Sequence, residues 1–126
     1  MIIGTGIDII EIDRIARAIV RERFIERVFT AKEQSYCNSR GRQRAASYAA
    51  RFAGKEAILK AFGTGLSGGE LLDIEIIANA QGKPEAVLKG YYRDYAARLG
   101  VTGIYLSLTH ARQYSAANAI LWGERK

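Results

Sequence analysis

From Arg44 to Phe62 the chain runs nineteen residues without a proline, seven of them alanine, and the next residue is Gly63. Alanine has the highest helix propensity, and glycine is the usual residue just past a helix end. The run therefore predicts one long helix, and the rest of the chain must pack against it. Met1–Glu11 reads as an isoleucine-rich strand interrupted by Gly4 and Gly6. Asp13 is positioned to cap a helix reaching about Val28, with Ile12, Ile15 and Ile19 on one face and Arg14, Arg17 and Arg21 on another. Thr30-Ala31-Lys32-Glu33 is a capping-box pattern and predicts a short second helix ending near Asn38 to Gly41.

After the long helix, the three glycines of Thr64–Glu70 predict a mobile loop. Leu72–Ala78 and Glu85–Leu88 read as strands paired through the turn Asn79–Pro84. Helical spacing spans Gly90–Leu99 and stops at Gly100, and two strands follow at Ile104–His110 and Ser115–Trp122. No repeat, linker or low-complexity tract interrupts this order. The reading is one α+β domain over residues 1–126, a largely antiparallel sheet packed against a long helix.

A chain of 126 residues with 48% hydrophobic content can bury a single core. It has little area for a deep private pocket, so a site shared between subunits suits its size. The lone Cys37 excludes an internal disulfide and a thiolate metal cluster. The start, Met1 to Gly6, lacks the basic and apolar regions of a signal peptide, and no apolar run is long enough for a bilayer. These features predict a reduced, cytoplasmic protein.

Charge is unevenly placed. Between Arg14 and Arg51 stand nine arginines and Lys32 against Glu22, Glu26 and Glu33, a net of +7, whereas the remainder nets −1. Such an excess points to an anionic partner: nucleic acid, phosphates or an acidic protein. Solubility alone is the plainer reading.

Three places carry chemistry. Asp8 interrupts an isoleucine strand and shares a face with Gly4, Gly6 and Ile10. An unpaired carboxylate there is costly, so it needs a cation or donors, and the glycines leave room for something to approach. A metal ion, a ligand or an internal ion pair each meets that need. In the long helix, Arg51 and Lys55 are one turn apart, as are Glu56 and Lys60, and Gly54 implies close packing or close ligand approach. A solvated face with a surface Glu–Lys pair also accounts for this spacing. His110, the only histidine, ends an alternating strand, where it serves either a ligand or local backbone groups. No Walker loop, dinucleotide fingerprint or Ser-His-Asp pattern occurs, and one histidine makes zinc a poor fit. The hard oxygens of Asp8 and Glu56 suit magnesium, which takes one or two carboxylates plus phosphate and water.

The segments Gly4-Thr5-Gly6-Ile7-Asp8-Ile9, Arg51-Phe52-Ala53-Gly54-Lys55-Glu56-Ala57, Lys60-Ala61-Phe62-Gly63-Thr64-Gly65, Gly82-Lys83-Pro84 and Leu106-Ser107-Leu108-Thr109-His110 occur in an order and spacing that resembles the bacterial holo-acyl-carrier-protein synthases, across essentially the whole chain. That resemblance implies the 4'-phosphopantetheinyl transferase fold and an enzyme of fatty acid biosynthesis. Such enzymes move 4'-phosphopantetheine from coenzyme A to a serine of apo-acyl carrier protein and release adenosine 3',5'-bisphosphate. By motif match, Asp8 and Glu56 would hold Mg2+ and Lys60 would contact phosphate. Arg51, Lys55 and His110 would be phosphate or nucleotide contacts. Arg14, Arg17, Arg21, Phe24 and Arg27 would form the helix that docks the acidic carrier. The family's small members are homotrimers with sites between subunits. Gly54 departs from the alanine or other small residue common in relatives.

Two other classes compete. A nucleic-acid module would exploit the arginine region, but Phe24 is the only aromatic on the arginine helix and no recognised motif appears. A non-catalytic oligomerisation domain would leave Asp8 and Glu56 without purpose. The reading therefore excludes nucleic acid and membrane as partners.

Overall fold

The structure, a computed structural model, describes every residue from Met1 to Lys126. The elements run β1 (Ile2–Glu11), α1 (Ile12–Ala18), α2 (Glu22–Val28), α3 (Ala31–Asn38), α4 (Arg44–Phe62), β2 (Ile74–Ala78), β3 (Pro84–Leu88), α5 (Gly90–Leu99), β4 (Val101–His110) and β5 (Tyr114–Gly123). The α+β architecture matches the expectation, with one refinement. The strands form two antiparallel sheets, a three-stranded one in the order β1-β5-β4 and the hairpin β2-β3. Helix α4 lies across the inner face of the larger sheet. It carries much of the core, from Tyr48, Ala49 and Ala53 to Ile58 and Leu59. It closes at Gly63, whose φ of 84° is the left-handed cap and whose N–H donates to the carbonyls of Leu59 and Lys60.

The helix predicted from Asp13 to Val28 is instead two helices with a turn at Ile19–Arg21, where the Arg21 N–H donates to the Ala18 carbonyl. The apolar pattern explains the break. A straight helix burying Ile15 and Ile19 would carry Glu22 and Glu26 onto the same face at the next turns. The turn lets the buried stripe shift to Phe24, Ile25 and Val28 and leaves both glutamates in water. Asp13 is not the cap either. Glu11 holds that position without a side-chain cap bond, and Asp13 lies in the first turn. The Thr30 capping box forms as expected: the Glu33 N–H donates to Thr30 Oγ1, and the Thr30 N–H donates to Glu33 Oε1.

Strand β2 begins at Ile74, because Leu71–Asp73 make a single 3-10 turn. The Thr64–Glu70 loop, expected to be mobile, is tied to α5 instead. The Ser67 N–H donates to the Tyr92 hydroxyl at 2.9 Å, and the Tyr91 ring covers Gly68. No helix is long and apolar enough to cross a membrane.

Candidate active site

The glycines of β1 explain how its carboxylate reaches α4. A Cβ at Gly4 would stand 2.0 Å from the Ala61 carbonyl oxygen, and one at Gly6 2.0 Å from that of Ala57. Any side chain would push the strand off the helix. The space these glycines create is thus filled by α4 itself, not by a ligand. Alternation then aims Asp8, two residues on, at the same helix. There Lys60 Nζ donates to Asp8 Oδ1 at 2.8 Å and to the Ile7 carbonyl at 3.1 Å. The pair is open to solvent, with side chains 15% exposed for Asp8 and 54% for Lys60. Lys60 thus pairs across the seam with Asp8, and the surface pair with Glu56 does not form.

Glu56, one turn before Lys60, is half-buried, and its side chain makes no hydrogen bond or ion pair. Burial pushes its carboxyl above the usual carboxylate range, and the neighbouring Asp8 charge adds to the rise; Lys60 and Arg14 pull it down. Two carboxylates at one solvent-exposed seam form a donor set for a cation. No third histidine, cysteine, aspartate or glutamate joins them. A zinc or calcium cage does not fit. Magnesium does, since it is held by one or two carboxylates and takes its remaining oxygens from phosphate and water. Asp8 and Lys60 are paired at this seam, and both act on the Glu56 carboxyl.

Arg51 and His110 form a second group. They line a cleft of about 190 Å3 with Tyr36, Arg40, Ser47 and Pro84. Arg51 is almost fully buried, its guanidinium lying 4.2 Å from the Tyr36 ring centre. One of its terminal nitrogens donates to Ser47 Oγ at 3.3 Å, while its Nε has no partner. A buried cation with an unmet donor is well suited to an anion entering the cleft. His110 is exposed at the end of β4 and spends no hydrogen bond on the chain. Arg40 and Tyr36 belong to this cleft too and were not anticipated; only the regional basic excess hinted at Arg40.

Lys55 departs from its expected role as a phosphate contact. Its side chain is 0% exposed and paired at 2.8 Å with Glu33, itself 0% exposed. The same ammonium donates to the carbonyls of Val28 and of Leu71, the latter at 3.1 Å. Burial pushes its pKa down and Glu33 pulls it back up. All of its donors are engaged within the fold, leaving none for a substrate. Gly54 beside it is a packing residue, since a Cβ there would meet Ile76 Cδ1 at 2.5 Å.

The arginines of the proposed docking face are exposed: Arg14 and Arg17 on α1, Arg21 at the turn, Arg27 at the end of α2. The chain's four ion pairs are Lys55–Glu33, Lys60–Asp8, Lys89–Glu75 and Arg93–Asp94, so none of these arginines is neutralised internally. Phe24 differs. It is half-buried, packing edge-on to Phe29 and against Phe52 at 6.1 Å.

Comparison with known proteins supplies the family. Residues 4–119 match the family model of the 4'-phosphopantetheinyl transferase superfamily. A holo-[acyl-carrier-protein] synthase of Ruminiclostridium cellulolyticum is 47% identical over 124 residues, covering 96% of this chain and 91% of the relative. Among solved structures, the holo-[acyl-carrier-protein] synthase of Neisseria meningitidis superposes with a TM-score of 0.88 at 30% identity, covering 97% of this chain and 99% of that one. A Bacillus anthracis holo-(acyl-carrier-protein) synthase in complex with CoA (3',5'-ADP) gives 0.81 at 32% identity, covering 98% and 99%. The chain belongs to the 4'-phosphopantetheinyl transferase superfamily, and within it to the holo-[acyl-carrier-protein] synthases, which are enzymes.

Proposed function

We propose that this enzyme transfers 4'-phosphopantetheine from coenzyme A to a serine of apo-acyl carrier protein, depends on Mg2+ and releases adenosine 3',5'-bisphosphate. The observation that carries the reading is the seam where β1 meets α4, with Asp8, Glu56 and Lys60 gathered at an open edge. A bound magnesium ion would supply charge neutralisation for the pyrophosphate. The serine hydroxyl gives its proton to a base, the serine Oγ–phosphorus bond forms and the pyrophosphate P–O bond breaks, so negative charge grows on the departing nucleotide. Asp8 and Glu56 would be the metal's protein ligands. Lys60, with its side chain half exposed, would exchange part of its contact with Asp8 for phosphate oxygen. The cleft of Arg51 and His110 would take the nucleotide end of coenzyme A, with the Arg51 guanidinium as a phosphate partner. Arg14, Arg17, Arg21 and Arg27 would receive the acidic carrier. Arg14 is close enough to influence Glu56, which joins that docking face to the carboxylates.

The sheet supports assembly into a homotrimer. Its outer face shows Ile7 at 68% and Ile9 at 65% exposure, with Tyr105 and Trp122 also bare. An apolar face of that kind is suited to a protein interface. Assembly through it would bring a neighbour's surface to the carboxylate seam, consistent with sites shared between subunits. The reading puts the enzyme in the cytoplasm, where coenzyme A and its carrier meet. The test is incubation with coenzyme A, Mg2+ and apo carrier, reading the carrier's mass. Phosphopantetheinylation that stops with chelator and returns with Mg2+ is expected. An unmodified carrier, together with salt-sensitive binding to DNA or RNA, would overturn it.

A further inference from the structure

The buried Lys55–Glu33 pair sits where four segments meet. Lys55 Nζ donates to the carbonyl of Val28, the last residue of α2, and to that of Leu71, just past the glycine loop. Glu33 accepts the N–H of Thr30 on one oxygen and that of Ile76, in β2, on the other. One ammonium thus fastens the end of α2, the cap of α3 and the loop's exit to α4, one residue before Glu56. Outside it, Arg27, Val28, Leu66, Gly69 and Leu71 wall an open groove between α2 and the loop. An apolar pair could fill the same interior volume, but only a donor can hold two backbone carbonyls from separate segments.

We infer that Lys55 is a positioning residue for the acceptor protein: it sets α2 and the glycine loop against α4 so that a carrier on α2 faces the carboxylates, and it does not touch coenzyme A. This rests on the reading of α1 and α2 as the carrier's docking face. Lys55→Met alone strands the Glu33 charge and should lower the melting temperature by roughly 10 °C or more. The informative variant is Lys55→Met with Glu33→Gln, which removes both charges and keeps an acceptor for one of the two N–H groups, that of Thr30 or that of Ile76. Its melting temperature should recover part of that loss, because the stranded charge is gone but one backbone N–H is left without its acceptor. The KM for apo carrier should still rise about tenfold, the KM for coenzyme A should stay within about twofold, and Mn2+ affinity should be unchanged. Wild-type kinetics for both substrates in the double variant would make the pair a mere core filler and overturn the inference. A raised KM for coenzyme A with carrier KM unchanged would restore Lys55 as a phosphate contact and equally overturn it.

A second measurement needs no variant. The Lys55 ammonium resonance of the wild-type enzyme should shift when apo carrier is added and stay in place on adding Mg2+ and coenzyme A. The reverse pattern would contradict the inference. Arg27→Glu separates the two layers of the argument: if it leaves the carrier KM untouched, the docking reading is at fault, whatever the Lys55 variants do.

Discussion

Lys55 and Lys60 stand five residues apart on α4 and have opposite fates. Five residues turn a helix through about 140°, so one lysine faces the interior and the other faces β1. Lys55 is sealed in with Glu33 at 0% exposure, and Lys60 reaches Asp8 with 54% of its side chain in solvent. A buried ammonium with every donor engaged maintains geometry. An exposed one with a single carboxylate partner is free to exchange it. Residue type and motif membership therefore do not assign chemistry, and helical phase relative to the sheet does.

The sharpest way to break that contrast is to attack the seam. Asp8→Ala or Glu56→Ala should lower turnover by roughly 10³-fold or more with the fold intact, because each would remove half of the protein ligands proposed for the metal. A far-ultraviolet spectrum and an assay on the same sample check both halves. In the interior the opposite pattern is expected. Lys55→Met should cost about 3–5 kcal/mol of stability by leaving Glu33 buried and unpaired, read by denaturant unfolding. Lys60→Met, whose ion pair is exposed, should cost at most about 1 kcal/mol in the same measurement while reducing turnover. Equal destabilisation by the two substitutions would erase the distinction.

Between these lies the contact that creates the seam. Gly6→Ala should destabilise by about 1–3 kcal/mol and weaken divalent-metal binding, because its Cβ would strike the Ala57 carbonyl and lift Asp8 from Glu56. The smallest effect concerns pH. The carboxyl of Glu56 is raised, by burial first and by Asp8 second, so the folded chain holds that proton more tightly than the unfolded chain. Stability from this group is fully present below the ordinary carboxylate range and is lost as pH rises through the raised value. Glu56→Gln should therefore raise the melting temperature of the metal-free enzyme slightly at neutral pH. In the wild type, metal affinity should decline on acidification earlier than for an ordinary carboxylate pair.

Much of this was legible in the chain. The ends of α4 and its left-handed stop at Gly63 follow from local propensity, and the Thr30 box and the β2-β3 hairpin from local pairing rules. Asp8 was legible as an anomaly because a carboxylate in an isoleucine strand must be answered by something. The rest depends on contacts between distant segments. The break at Ile19–Arg21 follows from which glutamates the core refuses, visible only once the core's position is known. The role of Gly4 and Gly6 required knowing that α4 would lie on them. The burial of Lys55 required Glu33, twenty-two residues earlier, whose capping role masked its second use. The Arg40 and Tyr36 contribution to the cleft had no local signature at all.

The central claim is that Asp8 and Glu56 share one hard cation. Mn2+, a spectroscopically visible substitute for Mg2+, can be titrated into the metal-free enzyme and its paramagnetic signal followed. One ion per site is expected in the wild type, with affinity lost in both Asp8→Asn and Glu56→Gln. Undiminished Mn2+ binding in either variant would contradict the account.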